Sequence, residues 1–356
     1  MDNFLRDMWQ PTSGMNDLSV LDICTGAGGE ASGLESAGFT NVTAVEIDAR
    51  ACQTLRQNRP TWEVIEGDVR AIDANHFRGV DLLAGGVPCP PFTIAGKQLG
   101  PDDERNLFPE TLHLIEQVRP TAVMLENVPG FASAKFDSYR NDFIEKLSAL
   151  GFEVQWTILN SADFGVPQLR PRFVLVALRN PYAKDFHWPV PRQAFFTVGQ
   201  AIGDLMTSRG WLGATQWNDK ATGIAPTLVG GSKKHGGPDL GPTRARQQWK
   251  TLGVDGLGIA DMPPGEDFPV DGLPRLTLRM AARIQAFPDS WQFAGGKTAA
   301  YRQIGNAFPP PVAASVARSI IAALSGKTSE RRDEEFSPHQ MSLFHQGTIL
   351  PFVARQ

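Results

Sequence analysis

Short apolar runs alternate with amphipathic stretches through the first half of the chain. Runs at 20–24, 42–47, 63–65, 81–85, 122–126, 154–159 and 173–177 read as strands, several apolar enough to be buried on both faces of a parallel sheet. Between them, 30–37, 49–58, 107–117 and 139–150 have the composition and spacing of helices. Such alternation predicts βαβ units and an α/β fold. From about 186 to 271 the rhythm fails: the chain becomes rich in Gly, Pro and Trp with few long apolar runs, which predicts a second, smaller, irregular domain. Regularity returns with a helix at 276–287, closed by Phe287-Pro288-Asp289, and a final amphipathic helix at 310–324. Pro310 suits the first turn of that helix, where a missing N–H costs nothing. The tail, 327–356, mixes charges with Ser, His and Gln and reads as a peripheral segment.

Composition narrows this picture only a little. At 356 residues, 42% hydrophobic and 20% charged, the chain has room for one large domain and a smaller one. The first residues, MDNFLRDMWQPTSGMND, carry no basic start followed by an apolar run, so neither a signal peptide nor a membrane span is expected. Three cysteines, Cys24, Cys52 and Cys89, have no metal-ligand spacing and fit a reducing cytoplasm without a metal site. The net charge of −4 is unevenly spread. Between Leu205 and Lys250 seven basic residues (Arg209, Lys220, Lys233, Lys234, Arg244, Arg246, Lys250) face two acids, Asp219 and Asp239, a local basic excess that suits either a solvated loop or a polyanion.

Candidate chemistry falls at strand ends. Asp22-Ile23-Cys24-Thr25-Gly26-Ala27-Gly28-Gly29-Glu30 joins the first strand to the first helix; glycines there let a backbone approach a ligand at a helix N-terminus. Glu46, about 20 residues on, is placed to grip a ribose diol, and Asp68, in Gly67-Asp68-Val69, to take an adenine amino group. The spacing is neither that of a dinucleotide loop nor that of a lysine-bearing phosphate loop, which points to S-adenosylmethionine. Val87-Pro88-Cys89-Pro90-Pro91-Phe92 follows a buried strand and holds a thiol between prolines, a candidate nucleophile in a preset direction. Leu125-Glu126-Asn127-Val128-Pro129 brings an acid to the same sheet edge. Gln168-Leu169-Arg170-Pro171-Arg172 offers two arginines at alternate positions, one face of an extended segment, for phosphate, a carbonyl oxygen or thiolate stabilisation. Tyr301-Arg302-Gln303-Ile304-Gly305-Asn306-Ala307 precedes the last helix, and Asn306 could bond a cofactor or a loop backbone.

In order and spacing these segments resemble the cytosine-5 DNA methyltransferases across nearly all of 18–325. DICTGAGGEASGLESAGF, GDV, GGVPCPPFTIAGKQ, ENV, QLRPR, RLTLRMAARIQAFPDSW and YRQIGNAFPPPVA carry the likeness together. The resemblance implies a Rossmann-like S-adenosylmethionine-dependent methyltransferase fold, α/β with a seven-stranded mixed sheet. It implies a catalytic domain over 1–188 completed by 299–326, a target-recognition domain and hinge over 189–298, and a tail over 327–356. Cys89 would add to cytosine C6, Glu126 would protonate or hydrogen-bond N3, Arg172 would hold the base carbonyl or the thiolate, and Arg170 would support that arrangement through phosphate or protein contacts. Ala27, Gly28, Gly29, Glu46, Ile47, Asp68, Val69, Pro88, Leu107 and Asn306 would hold S-adenosylmethionine. Thr227, Lys233, Lys234, His235, Arg244 and Arg246 would meet double-stranded DNA, with the cytosine flipped out of the stack.

The chain departs from the family pattern at four places. Cys24 stands where many relatives carry an aromatic residue against the adenine, Pro90 where Gln commonly follows the nucleophile, Thr93 for Ser, and Met280 where Glu is frequent. A tRNA-methylating branch has a Cys-Phe-Thr triplet in its recognition region that is absent from 190–275. A catalytically dead DNA-binding scaffold is disfavoured by retention of Cys89, Glu126, Arg170 and Arg172, and a small-molecule methyltransferase by the basic insert. The expected setting is a compact prokaryotic or phage enzyme, monomeric and cytoplasmic, acting either beside a companion restriction endonuclease or alone.

Overall fold

The computed structural model describes residues 17–88, 106–191, 195–230 and 238–326. A seven-stranded sheet forms its centre: β1 (Leu18–Ile23), β2 (Phe39–Glu46), β3 (Glu63–Glu66), β4 (Leu82–Gly85), β5 (Ala122–Asn127), β6 (Phe152–Asn160) and β8 (Pro171–Arg179), in the order β3-β2-β1-β4-β5-β8-β6. The first five run parallel, whereas β8 is antiparallel to both β5 and β6. The strand order reverses between β1 and β4, so their carboxyl ends open the crevice where ligands of open α/β sheets bind.

Helices cover both faces: α1 (Gly29–Ala37), α2 (Ala49–Asn58), α3 (Phe108–Val118) and α4 (Asp137–Ala149) cross over between strands, and α9 (Lys297–Asn306) and α10 (Pro310–Leu324) return late in the chain. Asp48 starts α2 by accepting from the backbone N–H groups of Arg50 and Ala51, worth about 1 kcal/mol for a cap of this kind. α10 lies so close to α1 that a Cβ on Gly33 would sit 2.4 Å from the Pro310 carbonyl oxygen. The stretch Lys297–Leu324 is apolar enough by length and composition to cross a bilayer, yet 78% of its most apolar window is buried; its apolarity serves this packing.

The stretch expected to be irregular is more helical than its composition suggests. It contains α5 (Val198–Thr207), α6 (Ala214–Lys220) and α7 (Thr243–Thr251), and a short strand β9 (Ala225–Pro226) that pairs in parallel with β7 (Gln168–Leu169). α8 (Leu278–Ile284) is shorter than the helix predicted for 276–287. Val198, Ile202, Trp211, Trp217 and Trp249 belong to one continuous apolar cluster with Val20, Leu34 and Val176 of the sheet and its covering helix. A second cluster, built on Leu21, Leu83, Val123 and Leu175, fills the opposite face. Each fully buried Leu, Ile or Val contributes about 1.5–3 kcal/mol, so the late region is held to the sheet by core packing.

Candidate active site

The β1 turn is braced before any ligand is considered. Thr25 donates its hydroxyl to the Asp22 carbonyl (2.7 Å). Glu46 accepts from the Gly26 N–H on one oxygen and the Asp48 N–H on the other, both at 2.7 Å, leaving each oxygen a further lone pair. The glycines of this turn divide by role. A Cβ on Gly28 would meet Leu55 at 2.7 Å and Trp291 at 3.0 Å, and one on Gly29 the Phe308 carbonyl at 2.4 Å. Their absent side chains therefore admit neighbouring protein, whereas the sequence suggested ligand approach. Gly26, at φ +59, has nothing within 4 Å of its Cβ position and is the glycine with open space over it. It was missed because spacing alone does not tell packing from cradle.

The two acids that bound this turn in sequence are buried. Asp22 is fully buried with neither carboxyl oxygen hydrogen-bonded, and buried Glu30 leaves Oε1 unpaired. Burial, opposed by the neighbouring Thr25 hydroxyl and aided by Glu46, pushes Asp22 up to about 7; burial and the Asp22 charge push Glu30 well above the usual carboxylate range. Cys24, in a positive-φ conformation, has its thiol pushed up by burial and by Glu46, Asp22, Asp68 and Glu30. These raised carboxyls hold protons more readily than exposed ones, and a cationic ligand nearby would draw them back toward the charged form. Ile47 is 69% exposed at the end of β2, an apolar platform. Val69 is buried, and Asp68 pairs with Arg70 at 3.0 Å. Ala27 is buried, Pro88 exposed and Leu107 half-buried at the start of α3. A cavity of about 470 Å³ opens beside Asp68 at edge strand β3 and is lined by neither Glu126 nor Arg172.

An enclosed ion pair sits at the adjoining ends of β5 and β8. Arg172 Nε lies 2.7 Å from Glu126 Oε1, with both side chains largely enclosed. Burial raises the Glu126 carboxyl although Arg172 and Arg170 pull it down, so this acid holds a proton more readily than an exposed one. The next residue, Asn127, donates from Nδ2 to the Val87 carbonyl (2.8 Å) and accepts the Val128 N–H (2.9 Å). This pins the backbone that leads into position 89 to the strand carrying Glu126. A Cβ on Gly86 would lie 3.3 Å from Glu126 Oε2, so the ends of β4 and β5 are in close approach. Cys89, Pro90 and Thr93 lie outside the described residues, as do Lys233, Lys234 and His235. Asn127 was legible as part of ENV, but its role needed the register.

Of the two contacts expected for Arg170, phosphate or protein, the structure shows the second. It is fully buried, with Nη1 donating to the Leu228 carbonyl (2.6 Å) and Nη2 to those of Gly305 (2.8 Å) and Ala307 (3.0 Å). Both terminal nitrogens are spent on backbone, which removes the phosphate contact considered for it and leaves the protein contact. Thr227 is half-buried and donates its hydroxyl to the Leu169 carbonyl at 2.6 Å. Arg244 is exposed on α7, whereas Arg246 folds over Gly256 and reaches Thr243 at 3.4 Å. Asn306 is exposed at the end of α9 beside Gly230. Met280, where relatives carry Glu, is buried at the third position of α8; its sulfur accepts the Thr277 N–H at 3.4 Å while Thr277 caps the helix. No ion pair is built there, and the thioether occupies the capping-box position.

The sequence profile of the C-5 cytosine-specific DNA methylases matches residues 18–322. The chain is 51% identical over 345 residues to the Type II methyltransferase M.NaeI of Lentzea aerocolonigenes, covering 94% of this chain and 83% of that protein. It is 53% identical over 311 residues to the Type II methyltransferase M.NgoMIV of Neisseria gonorrhoeae, covering 86% and 98%. Among solved structures, the methyltransferase EhMeth of Entamoeba histolytica is similar at a TM-score of 0.62 and 17% identity, covering 87% of this chain and 99% of that one. A putative DNA modification methyltransferase encoded within an E. coli prophage is similar at 0.59 and 22%, covering 86% and 99%. Both likenesses are of fold.

Proposed function

The chain belongs to the C-5 cytosine-specific DNA methylases, and from that premise we propose that it methylates C5 of a flipped cytosine within one short duplex motif, through a covalent Cys89 adduct. The observation that carries the proposal is the enclosed Glu126–Arg172 pair, 2.7 Å apart, at the strand edge to which Asn127 ties the backbone entering Cys89. Cytosine C5 is a poor nucleophile until charge is pushed into the ring. In this reading the Cys89 thiolate adds to C6 while Glu126 gives its raised proton to N3, so the adduct forms without a free ring anion. Arg172 then pairs with the Glu126 carboxylate and orients it. S-adenosylmethionine, when bound, supplies an electrophilic methyl for C5. A base then takes the C5 proton, Glu126 recovers the N3 proton, and Cys89 leaves as thiolate.

The residues present fit that cofactor. Gly26 leaves room over the β1 turn, the acids Asp22 and Glu30 lie buried at either end of that turn, and Ile47 offers a surface for its adenine. Glu46 and Asp68 would supply acceptors for ribose and base, and Asn306 would serve the methionine end. Residues 1–188 with 299–326 act as the catalytic domain and 189–298 as the target-recognition domain. Likeness to type II methyltransferases supports a restriction-modification setting in a bacterial cytoplasm, with the enzyme working as a monomer on double-stranded DNA.

DNA from cells grown with 5-azacytidine, whose ring cannot release the adduct, tests this. The wild-type protein with S-adenosylmethionine is expected to give a detergent-stable protein–DNA complex, Cys89→Ser none, and Glu126→Gln at least about 100-fold slower capture. Equal capture by Cys89→Ser would overturn the mechanism.

A further inference from the structure

Among the described residues, Arg170 is the one fully buried arginine that contacts no carboxylate; its two terminal nitrogens go to three backbone carbonyls on two distant segments. A buried guanidinium left without acceptors is strongly unfavourable, so these carbonyls cannot leave singly without water replacing them. Leu228 lies just beyond β9, and Gly305 and Ala307 flank Asn306. The same junction is closed by two glutamines. Gln168 accepts the Leu228 N–H (2.8 Å) and donates to Gln285 Oε1 (2.5 Å), and Gln285 donates to the Ala307 carbonyl (2.6 Å). The Ala307 oxygen is thus shared by Arg170 and Gln285.

A second contact runs beside this one without any side chain between. A Cβ on Gly305 would lie 2.6 Å from the Gly230 nitrogen, and a Cβ on Gly230 would lie 2.0 Å from Asn306 Oδ1. Backbone meets backbone, and the Asn306 amide rests against the segment that carries Thr227 and Leu228.

We propose that Arg170, with Gly230, couples cofactor affinity to DNA engagement by locking the position of Asn306 to that of the Thr227–Gly230 segment. The proposal rests on the reading that Asn306 serves the cofactor and Thr227 the DNA side. Duplex that settles the Thr227 segment settles the Asn306 amide too, so part of the ordering that either ligand requires is already done by the other. Linkage makes the effect reciprocal: cofactor tightens DNA by the same factor that DNA tightens cofactor. Arg170 is a positioning residue in this scheme and touches neither ligand. Lysine at 170 keeps the charge but has no planar fork to span two segments. Alanine at 230 keeps the guanidinium intact and displaces chiefly the Asn306 amide, with the Arg302 carbonyl 3.0 Å from the new methyl.

The test is calorimetric titration of full-length protein with S-adenosylhomocysteine, with and without saturating unmethylated plasmid DNA, for wild type, Arg170→Lys and Gly230→Ala, each checked for a cooperative melt. Wild type is expected to bind S-adenosylhomocysteine about tenfold more tightly with DNA present. That factor is expected to fall below about twofold in either variant, while each still binds the two ligands separately. A merely structural role would lower the melting temperature and leave the ratio unchanged. Retention of the wild-type ratio in both variants, or no enhancement in wild type, would overturn the coupling. A wild-type protein that binds no S-adenosylhomocysteine would instead overturn the cofactor reading itself.

Discussion

Asp22 shows how much of this site depends on what a side chain lacks. Its carboxyl is fully buried with no hydrogen-bond partner, and burial lifts it from 3.8 to about 7. A carboxyl raised on folding favours the folded state less as pH climbs: the penalty is absent below about 4, grows between 4 and 7, and is constant above. In the cofactor-free protein, Asp22→Asn should therefore melt higher than wild type at pH 8, by up to about 4 kcal/mol of stability, and close to it at pH 4. S-adenosylmethionine should bind the variant more weakly. Equal melting temperatures at pH 8 would mean that the carboxyl is solvated or paired after all. At this scale the sequence exposed Glu126 and Arg172 well, because ENV and QLRPR bring them to strand ends. It left Arg170 open between phosphate and protein contacts, since alternate positions share a face only along one continuous strand. The strand is broken there: Gln168–Leu169 pairs with β9 and Pro171–Arg179 with β5 and β6, with Arg170 at the break.

Among elements, the β1 turn separates two meanings of glycine that a motif writes identically. Gly29→Ala would drive a methyl group into the Phe308 carbonyl, 2.4 Å away, and is expected to destabilise the fold by about 2–4 kcal/mol. Gly26→Ala meets open space, so only its positive φ is strained, by about 1 kcal/mol. It should instead weaken S-adenosylmethionine binding at least tenfold. Paired thermal melts and cofactor titrations check this, and a larger melting loss for Gly26→Ala than for Gly29→Ala would invert the assignment. The helices α5, α6 and α7 escaped the sequence reading for reasons visible in them. α6 has seven residues, and α7, TRARQQWKT, buries only Trp249, so neither shows a sustained apolar stripe. β9 has two residues and exists only because β7 offers it an edge.

For the molecule as a whole, the alternation of strands and helices made the sheet legible, since buried parallel strands are apolar runs bounded by turns. The joining of the late region to that sheet was not legible. It depends on buried tryptophans 32 or more residues beyond the last sheet strand entering a common core, and on the polar junction around Arg170. That arrangement ties the Thr227 segment and Asn306 together through Arg170, two residues from the Arg172 that pairs with Glu126. Methylation mapping of all plasmid cytosines, after expression of the full chain in a bacterial host lacking its own methyltransferases, tests the central claim most directly. Methyl groups confined to C5 of one cytosine in one short motif, lost with Cys89→Ser, are the predicted result. Unmodified plasmid from cells holding folded, cofactor-bound protein would contradict it.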